Sequence, residues 1–263
     1  MYKIAHIADT HIKNLKYHYE YRIIFKELYE KLEQEAPDFI VHCGDLAHTK
    51  TQLSPEYFEL ATEFMKNVAD IAPLVIIPGN HDGNLKNSNC QDAITPIIQA
   101  LEHPNIFFFK NSGEFHATPE LCFNILSVFD EDNWIDPTDT SKINIAMYHG
   151  SISNCKTDIG WVMEHGEHEL SIFKKFDYAM LGDIHKAQAL DFEGRVRYCG
   201  STVQQNHGET NDKGFGIWEI EDKNNFTYRH IELINPKPFI TIELTPKGKM
   251  PKGVDVPEGS RIR

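Results

Sequence analysis

The sequence predicts an α/β layer fold in which a sheet sandwich carries helices on its outside. Two observations lead to it. Short apolar runs rich in Ile and Val are typical of buried strands, and helical patterns separate the first of them, which implies parallel strands. The runs are KIAHIA (3–8), DFIVHC (38–43), PLVIIP (73–78), INIAMY (143–148) and DYAML (177–181).

Two segments carry the helical patterns. From Tyr19 to Gln34, apolar side chains recur at a spacing of three or four positions, at Ile23, Ile24, Leu28 and Leu32. Ser54 followed by Pro55 is typical of an N-cap with proline at the first helical position, and the run YFELATEFMKNVA follows it.

Residues 104–135 and 190–235 have the pattern of strands and loops, so we expect them to form a second sheet. Its later strand candidates are Arg197 to Cys199, Phe215 to Ile220 and Phe226 to Ile231. The pattern changes near Pro236. We therefore predict one domain over 1–235 and the start of a small accessory segment over 236–263, cut short at the end of the chain.

Composition and charge limit the function classes. Of the 263 residues, 41% are apolar and 25% charged, which is ordinary for a globular domain. The formal net charge of −13 excludes a broad basic face for nucleic acid, so any such role depends on local contacts, metal or a partner. No apolar run approaches the roughly 20 residues of a membrane span. We expect no membrane contact.

The cysteine pattern points to a reducing compartment. The five cysteines are an odd number at wide spacings without a CxxC pair, which favours reduced thiols over a disulfide framework or a zinc knuckle. His6, Asp9 and His11 interrupt the N-terminal apolar run, which is not typical of a signal peptide. We expect a cytoplasmic protein.

Each of the five predicted strands runs into a polar cluster. Because α/β sheets present ligands at the carboxyl ends of their strands, these clusters should meet in one site. Asp9 and His11 are two residues apart and point the same way on an extended chain, so one metal could take both. The candidate ligands are Asp9, His11, Asp45, Asn80, His149, Asp183 and His185.

Carboxylates, an amide oxygen and imidazoles without cysteine suit Mn²⁺, Fe²⁺ or Mg²⁺, and less specifically Zn²⁺. Seven side chains fill two sites if one carboxylate bridges them. Two ions ~3.5–4 Å apart can polarise a phosphate, acidify a bound water and stabilise a leaving oxygen. We therefore predict two divalent metal ions, with Mn²⁺ preferred.

The ordered set of motifs, from DTH through GD, GNHD and a strand-terminal histidine to GDIH, resembles the calcineurin-like metallophosphoesterases. GDLAH, LGDIHK and YCGSTVQQNHGE also look like signatures of the SbcD nuclease family, the bacterial and phage relatives of the eukaryotic meiotic-recombination nuclease. The resemblance implies a four-layer α/β/β/α sandwich of two mixed sheets flanked by helices.

It also implies a role for each residue. Asp9, His11, Asp45 and His185 would hold the first metal. Asp45, Asn80, His149 and Asp183 would hold the second. His81 would protonate or stabilise the leaving oxygen, and His48 would orient His81 or the substrate phosphate.

Asp183 departs from the pattern, since many relatives have histidine there. A third carboxylate makes the site less positive, which should lower the acidity of a bound water. Our hypothesis is that Asp183 tunes the enzyme toward Mn²⁺ and a higher pH optimum.

Three further residues have open alternatives. Lys16 lies in NLKYHYEYR, which is either a helix start packed on the sheet or a site of phosphate contact and base stacking. Lys186, next to the last ligand, is either a phosphate contact or a solvated loop charge. His207 either touches substrate or belongs to a polar turn.

Three functions compete. The first is a DNA exo- or endonuclease subunit in end processing, repair or recombination, acting by in-line attack of a metal-bridging hydroxide. The resemblance implies DNA, an SMC-like ATPase of the SbcC type and a homodimer as its partners.

The second is a hydrolase of cyclic nucleotides, small phosphodiesters or phosphoproteins. A protein phosphatase should add arginines that clamp a phosphomonoester, and none lies near the ligand loops. The third is a weakly catalytic scaffold that binds DNA ends, for which His81 and His48 would be unnecessary.

Overall fold

A computed structural model describes residues 1–254 and 256–263 of the chain. All five predicted strands and both predicted helices are present, with bounds that differ from the prediction by one or two residues. The described strands are β1 (Tyr2–Ile7), β2 (Phe39–Cys43), β3 (Leu74–Ile77), β4 (Ile106–Phe108), β5 (Gly113–His116), β6 (Leu121–Leu126), β7 (Ile143–His149), β8 (Cys155–Lys156), β9 (Val162–Met163), β10 (Tyr178–Gly182), β11 (Gln188–Ala189), β12 (Val196–Tyr198), β13 (Gly214–Ile220), β14 (Phe226–Glu232), β15 (Phe239–Ile240) and β16 (Arg261–Ile262).

Three α-helices cover one side of the molecule: α1 (His18–Glu35), α2 (Pro55–Ile71) and α3 (Thr95–Leu101). The predicted cap of α2 is confirmed, because the Ser54 hydroxyl accepts a hydrogen bond from the Tyr57 N–H at 3.2 Å. In α1, Leu28 and Leu32 are buried as predicted. Ile23 is 37% exposed, however, and Phe25 fills the core instead.

The first sheet has the order β14-β13-β1-β2-β3-β4. Strands β1 to β4 are parallel, and β13 runs antiparallel to β1. Strands β13 and β14 were expected in a second sheet, and this assignment was wrong. The residues of β13 are apolar on both faces: Phe215 and Ile217 pack toward the helices, while Trp218 and Ile220 pack between the sheets. Such a strand is stable only where both faces are covered.

The second sheet has the order β11-β12-β10-β7-β6-β5 and is also mixed. Its central strands β6, β7, β10 and β12 are parallel. The two sheets pack face to face through one apolar core, in which Val41 and Val75 of the first sheet meet Phe123 and Met147 of the second. The predicted sandwich of two mixed sheets is therefore confirmed.

The outer face of the second sheet buries Tyr148 and Leu181 against Phe173. Among the described residues, this layer consists of loops, the β8–β9 hairpin and the short 3₁₀ helices Glu131–Asn133 and Leu170–Phe173, so the α-helices lie on one side only. None of the described helices combines the length and hydrophobicity that a membrane crossing requires.

The C-terminal residues form a small parallel pair, β15 with β16. Arg261 of β16 forms an ion pair with Glu20 of α1, and its guanidinium lies 4.2 Å from the centre of the Tyr17 ring. A domain boundary at residue 235 stays a prediction.

Candidate metal centre

The seven predicted ligands lie at the carboxyl ends of five strands, β1, β2 and β3 of the first sheet and β7 and β10 of the second. The ends of the two sheets abut. The Asp183 N–H, directly after β10, donates to Asp9 Oδ1 at 3.0 Å, shortly after β1. The site is therefore built across the sandwich, from both sheets, rather than along the edge of one.

The backbone at the ligands is unusual. Asp9, His11, Asp45 and Asp183 have positive φ angles of 52°, 48°, 57° and 98°. Non-glycine residues adopt this left-handed region rarely, and such conformations cluster at functional sites. Gly79 shows how tightly the loops approach each other, because a Cβ there would lie 2.2 Å from Asp45 Oδ1.

One half of the cluster contains Asp9, His11 and His185, whose ligand atoms lie within 4.8 Å of one another. His11 Nε2 is 3.0 Å from His185 Nε2 and 3.5 Å from Asp45 Oδ2. Two ring nitrogens and a carboxylate oxygen thus converge on one point, as the ligands of a cation do.

The other half contains Asp45, Asn80, His149 and Asp183. His149 Nε2 is 3.4 Å from Asp45 Oδ1 and 3.8 Å from Asp183 Oδ1, and Asn80 Nδ2 is 3.3 Å from Asp183 Oδ1. Asp45 therefore presents one carboxylate oxygen to each half, which is the position of a bridging ligand.

Unpartnered polar atoms support metal binding. His149 Nδ1 lies 2.7 Å from the Cys43 carbonyl and donates to it, which leaves Nε2 as a lone-pair atom. Among the described residues, His149 Nε2 and Asn80 Oδ1 are buried without a hydrogen-bond partner. Both atoms carry lone pairs and belong to the ligand cluster, so a bound cation would satisfy them.

The buried carboxylates of the cluster also favour a bound cation. Asp9 is fully buried and Asp45 is 2% exposed. Burial raises the pKa of Asp9 to about 7, and repulsion from Asp45 and Asp183 adds to the effect. Burial opposes the charged form of His149, but the attraction of Asp45 outweighs it and raises the pKa of His149. Raised pKa values mean that Asp9 and His149 retain protons more readily in the metal-free cluster, and bound divalent ions would replace these protons.

His81 lies next to the cluster on the exposed side. Its N–H donates to Asp45 Oδ1 at 2.8 Å, and its ring centre is 4.8 Å from that of His11. Its Nδ1 donates to the His48 carbonyl at 2.7 Å, which leaves Nε2 for a substrate. The contact that orients His81 thus comes from the His48 backbone. The His48 ring stacks 6.0 Å away, and burial lowers its pKa to about 4.

Two supporting residues are absent from the predicted site. The first is Asp82, the last residue of GNHD, which is fully buried and accepts hydrogen bonds from the N–H groups of Asp45, Ala47 and Gly79 at 2.7–2.8 Å. It ties two ligand loops together. Its place in the GNHD motif, directly after His81, is the signal that could have found it.

The second is Glu209, whose Oε1 lies 2.9 Å from His185 Nδ1. Lys213, which is 4% exposed, donates to the His185 carbonyl at 2.8 Å and to Asp158 at 2.9 Å. The YCGSTVQQNHGE motif contains Glu209, but its contact with a ligand 24 positions earlier is visible only in the fold.

The three predicted substrate contacts lie in different places. Lys16 is exposed, and Lys186 is half-buried directly after the ligand loop. His207 packs its ring against Phe239, with 5.1 Å between ring centres. It therefore faces the C-terminal segment and lines neither of the two clefts beside the ligand cluster.

Two clefts flank the cluster. One, of about 620 Å³, contains His48 and His81 together with Lys50 and Lys86. The other, of about 350 Å³, contains Asp183 and His185 together with Trp161. A chain could thus pass over the predicted metals from one cleft to the other.

Residues 2–187 match the family described as calcineurin-like phosphoesterases. The chain belongs to this family. The family acts on phosphoesters with divalent metals, and the candidate ligands all lie within the matched residues.

Two relatives are informative. The chain is 35% identical over 276 positions to an uncharacterized protein of Acanthamoeba polyphaga mimivirus, covering 99% of this chain and 20% of that protein. It is 27% identical over 257 positions to the SbcD component of the SbcCD nuclease of Staphylococcus epidermidis, covering 84% of this chain and 66% of that protein. The chain thus spans a fifth of the viral relative and slightly less than two thirds of the bacterial one.

Proposed function

We propose that this calcineurin-like phosphoesterase is the nuclease component of a DNA end-processing complex of the SbcD type. The observation that carries the proposal is the pairing of a two-part ligand cluster, bridged by Asp45, with His81 beside it. Similarity to the SbcD component of the SbcCD nuclease supports DNA as the substrate.

Each of the two halves of the ligand cluster would hold one ion. Asp9, His11, Asp45 and His185 would hold one ion, and Asp45, Asn80, His149 and Asp183 the other. Hard oxygen donors mixed with imidazole favour Mn²⁺, with Mg²⁺ or Fe²⁺ as substitutes. Bound there, the ions supply charge stabilisation and a nucleophile at neutral pH.

The chain's own residues then act on the substrate. His81, oriented by the hydrogen bond from its Nδ1 to the His48 carbonyl, presents Nε2 to the leaving oxygen. With both ring nitrogens protonated, it donates the Nε2 proton to that oxygen and keeps the Nδ1 proton on the carbonyl. The backbone N–H of His81 donates to Asp45 Oδ1 and so fixes this carboxylate. The proposed bridging ligand and the residue that would protonate the leaving oxygen are therefore held next to each other. Lys50, whose amino group is held 2.7 Å from the Asn80 carbonyl, borders the same cleft and contacts a substrate phosphate.

A strongly acidic protein can still act on DNA if contacts are local. Lys50 and Lys86 in the larger cleft, and Lys16 and Lys186 elsewhere near the ligand loops, are the cations we assign to phosphates. The formal charge of −13 favours a partner that carries its own DNA-binding surface. We propose an SMC-like ATPase of the SbcC type, a homodimeric nuclease core and a cytoplasmic setting.

The test is a cleavage assay with Mn²⁺ on labelled linear and hairpin DNA, alongside bis-p-nitrophenyl phosphate, with and without an SbcC-type ATPase. We expect both DNA and the small ester to be cleaved, and His81→Ala to lose both activities. Cleavage of the small ester alone, even with the ATPase present, would show a different phosphodiesterase. Binding of DNA ends without any cleavage would show a scaffold.

A further inference from the structure

We propose that Trp161 is a stacking platform for a nucleobase of the substrate next to the scissile phosphate. This proposal rests on the proposed nuclease function and adds a second binding element to it. It starts from the smaller cleft, in which Trp161 shares the wall with Asp183 and His185. A base in this cleft would belong to a nucleotide adjoining the phosphate at the ligand cluster.

Packing within the fold does not account for the exposed position of the Trp161 side chain. Its side chain is 56% exposed, and Ile159 beside it is 76% exposed. Trp218 is fully buried and Trp134 packs partly against Tyr148, so Trp161 is the one largely exposed indole among the described residues. A large apolar ring left in water beside a predicted active site is typical of a binding surface.

The loop that carries Trp161 is held firmly. Strands β8 and β9 form a hairpin, and the Thr157 N–H donates to the Trp161 carbonyl at 2.9 Å. Gly160, at φ 83°, makes the tight turn between them. The tip therefore presents Ile159 and Trp161 in a fixed arrangement rather than on a loose loop.

A buried cation ties this hairpin to the ligand loop. The Lys213 amino group bonds Asp158 at the hairpin tip and the carbonyl of His185. Gln188 adds a second link, because its side chain accepts from the Lys156 N–H at 2.8 Å and donates to the Lys156 carbonyl at 2.7 Å. The position of Trp161 relative to His185 is thus set by two independent polar contacts.

The charges of the cleft permit a nucleotide. Three acidic residues line this cleft. Asp158 is paired with Lys213 and Glu209 is hydrogen-bonded to His185, while the charge of Asp183, a proposed metal ligand, would be neutralised by the bound ion. What remains exposed is the apolar surface of Ile159 and Trp161. An apolar aromatic face accepts any base, since every base has a π-face, and carries no phosphate-binding group of its own.

The test measures binding in a His81→Ala background, which prevents cleavage. We expect a single-stranded oligonucleotide to quench the exposed Trp161 fluorescence. Trp161→Ala should weaken its Kd by roughly 5- to 150-fold, the range for one stacked base. Trp161→Phe should retain most of the affinity and lose the quenching. Phe192→Ala, a fully exposed aromatic that does not line either cleft, is the matched control and should bind as the parent does.

An oligomer of abasic sugar phosphates separates stacking from a structural role. Trp161→Ala should bind it with the same Kd as the parent, because no base remains to be stacked. In the cleavage assay with His81 present, the substitution should raise KM for DNA more than it lowers kcat.

An equal Kd of parent and Trp161→Ala for the normal oligonucleotide, or an equal penalty on the abasic oligomer, would overturn the proposal while DNA cleavage by the wild type stands. A wild type that neither binds nor cleaves DNA would overturn the proposed nuclease function itself.

Discussion

The Nδ1 atom of His185 lies 2.9 Å from the carboxylate oxygen Oε1 of Glu209. The Glu209 carboxylate is buried, and the His185 ring is largely so. The carboxylate holds the proton on Nδ1 and so keeps Nε2, 3.0 Å from His11 Nε2, free to bind a metal. Burial opposes the charged form of His185, but the hydrogen bond to Glu209 and the negative charges of Asp9 and Glu209 together outweigh it and raise the pKa of His185.

Glu209→Ala should therefore weaken metal binding. Removing a carboxylate that orients a ligand histidine typically costs about 10- to 100-fold in metal affinity. Titration calorimetry with Mn²⁺ measures this directly. Glu209→Gln keeps a hydrogen-bond acceptor and should fall between Ala and wild type. Glu193→Ala, an exposed carboxylate, is the control. Wild-type affinity in Glu209→Ala would refute the role.

His81 and His48 should differ in importance. His81→Ala should lower kcat by roughly 10²- to 10⁴-fold, the usual contribution of a general acid, with unchanged Mn²⁺ content. His48→Ala should lose far less, because the His48 carbonyl that orients His81 belongs to the backbone and survives the substitution. Initial rates on bis-p-nitrophenyl phosphate compare the two. Equal losses would mean that the His48 imidazole itself touches substrate.

Asp183→His should shift the metal preference. Replacing a carboxylate by imidazole removes one negative charge and a hard oxygen donor from the half that holds Asn80 and His149. We expect the ratio of Mn²⁺- to Zn²⁺-supported activity to fall and the pH optimum to move lower, because a more positive site acidifies a bound water. Unchanged metal preference and pH profile would dismiss the idea that Asp183 tunes the site.

Asp82→Asn should destabilise the fold without removing a ligand. The amide nitrogen would face a backbone N–H that now donates to the carboxylate, such as that of Ala47 at 2.7 Å. One unsatisfied buried donor costs about 1–3 kcal/mol in the free energy of unfolding. Urea denaturation of the metal-free protein measures this loss in the free energy of unfolding. Asp70→Asn, at an exposed pair on α2, should stay near wild type.

The stability of the metal-free protein should fall as the pH rises above about 7. The folded-state pKa values of Asp9, His149 and His185 are all raised, that of Asp9 to about 7. Groups with raised values stabilise the fold below their unfolded pKa, and this contribution disappears as the pH passes the folded value. Buried histidines with lowered pKa values, such as His6 and His42, act in the opposite direction only up to their unfolded pKa of about 6.5. Thermal unfolding is therefore compared at about pH 7 and about pH 9, where the Tm should be lower at the higher pH.

Saturating Mn²⁺ should reverse that trend, because metal binds the deprotonated ligands. The increase in Tm on adding Mn²⁺ should be larger at the higher pH, and binding should release protons, measurable by calorimetry in two buffers of different ionisation enthalpy. A stabilisation by Mn²⁺ that is independent of pH would contradict the pKa shifts.

Local patterns were sufficient to predict the five strands that precede the candidate ligands. Each strand is a short apolar run ending in a polar motif, and the Ser54–Pro55 cap of α2 is a signal within a few residues. Sheet membership was harder to predict, because β13 could cover either sheet with its two apolar faces. Only the pairing of Tyr2 with Ile220 across the whole chain decides it.

The same limit applies to the site. Candidate ligands are visible because several are close in sequence and follow a strand, as Asp183 and His185 do. Their supports are not visible: Glu209 and Lys213 contact His185 only in the folded chain. For His207, substrate contact and a polar turn were both open, and its packing on Phe239 is equally a matter of the fold. Which side chain faces a cleft depends on tertiary contacts that no local pattern records.

The central claim is that two ions share Asp45. Anomalous diffraction at the manganese edge, from crystals grown with Mn²⁺, tests it most directly. We predict two peaks, one beside His11 and His185 and one beside Asn80 and His149, each in contact with a different oxygen of Asp45. A single peak, or a peak that Asp45 does not touch, would contradict the claim.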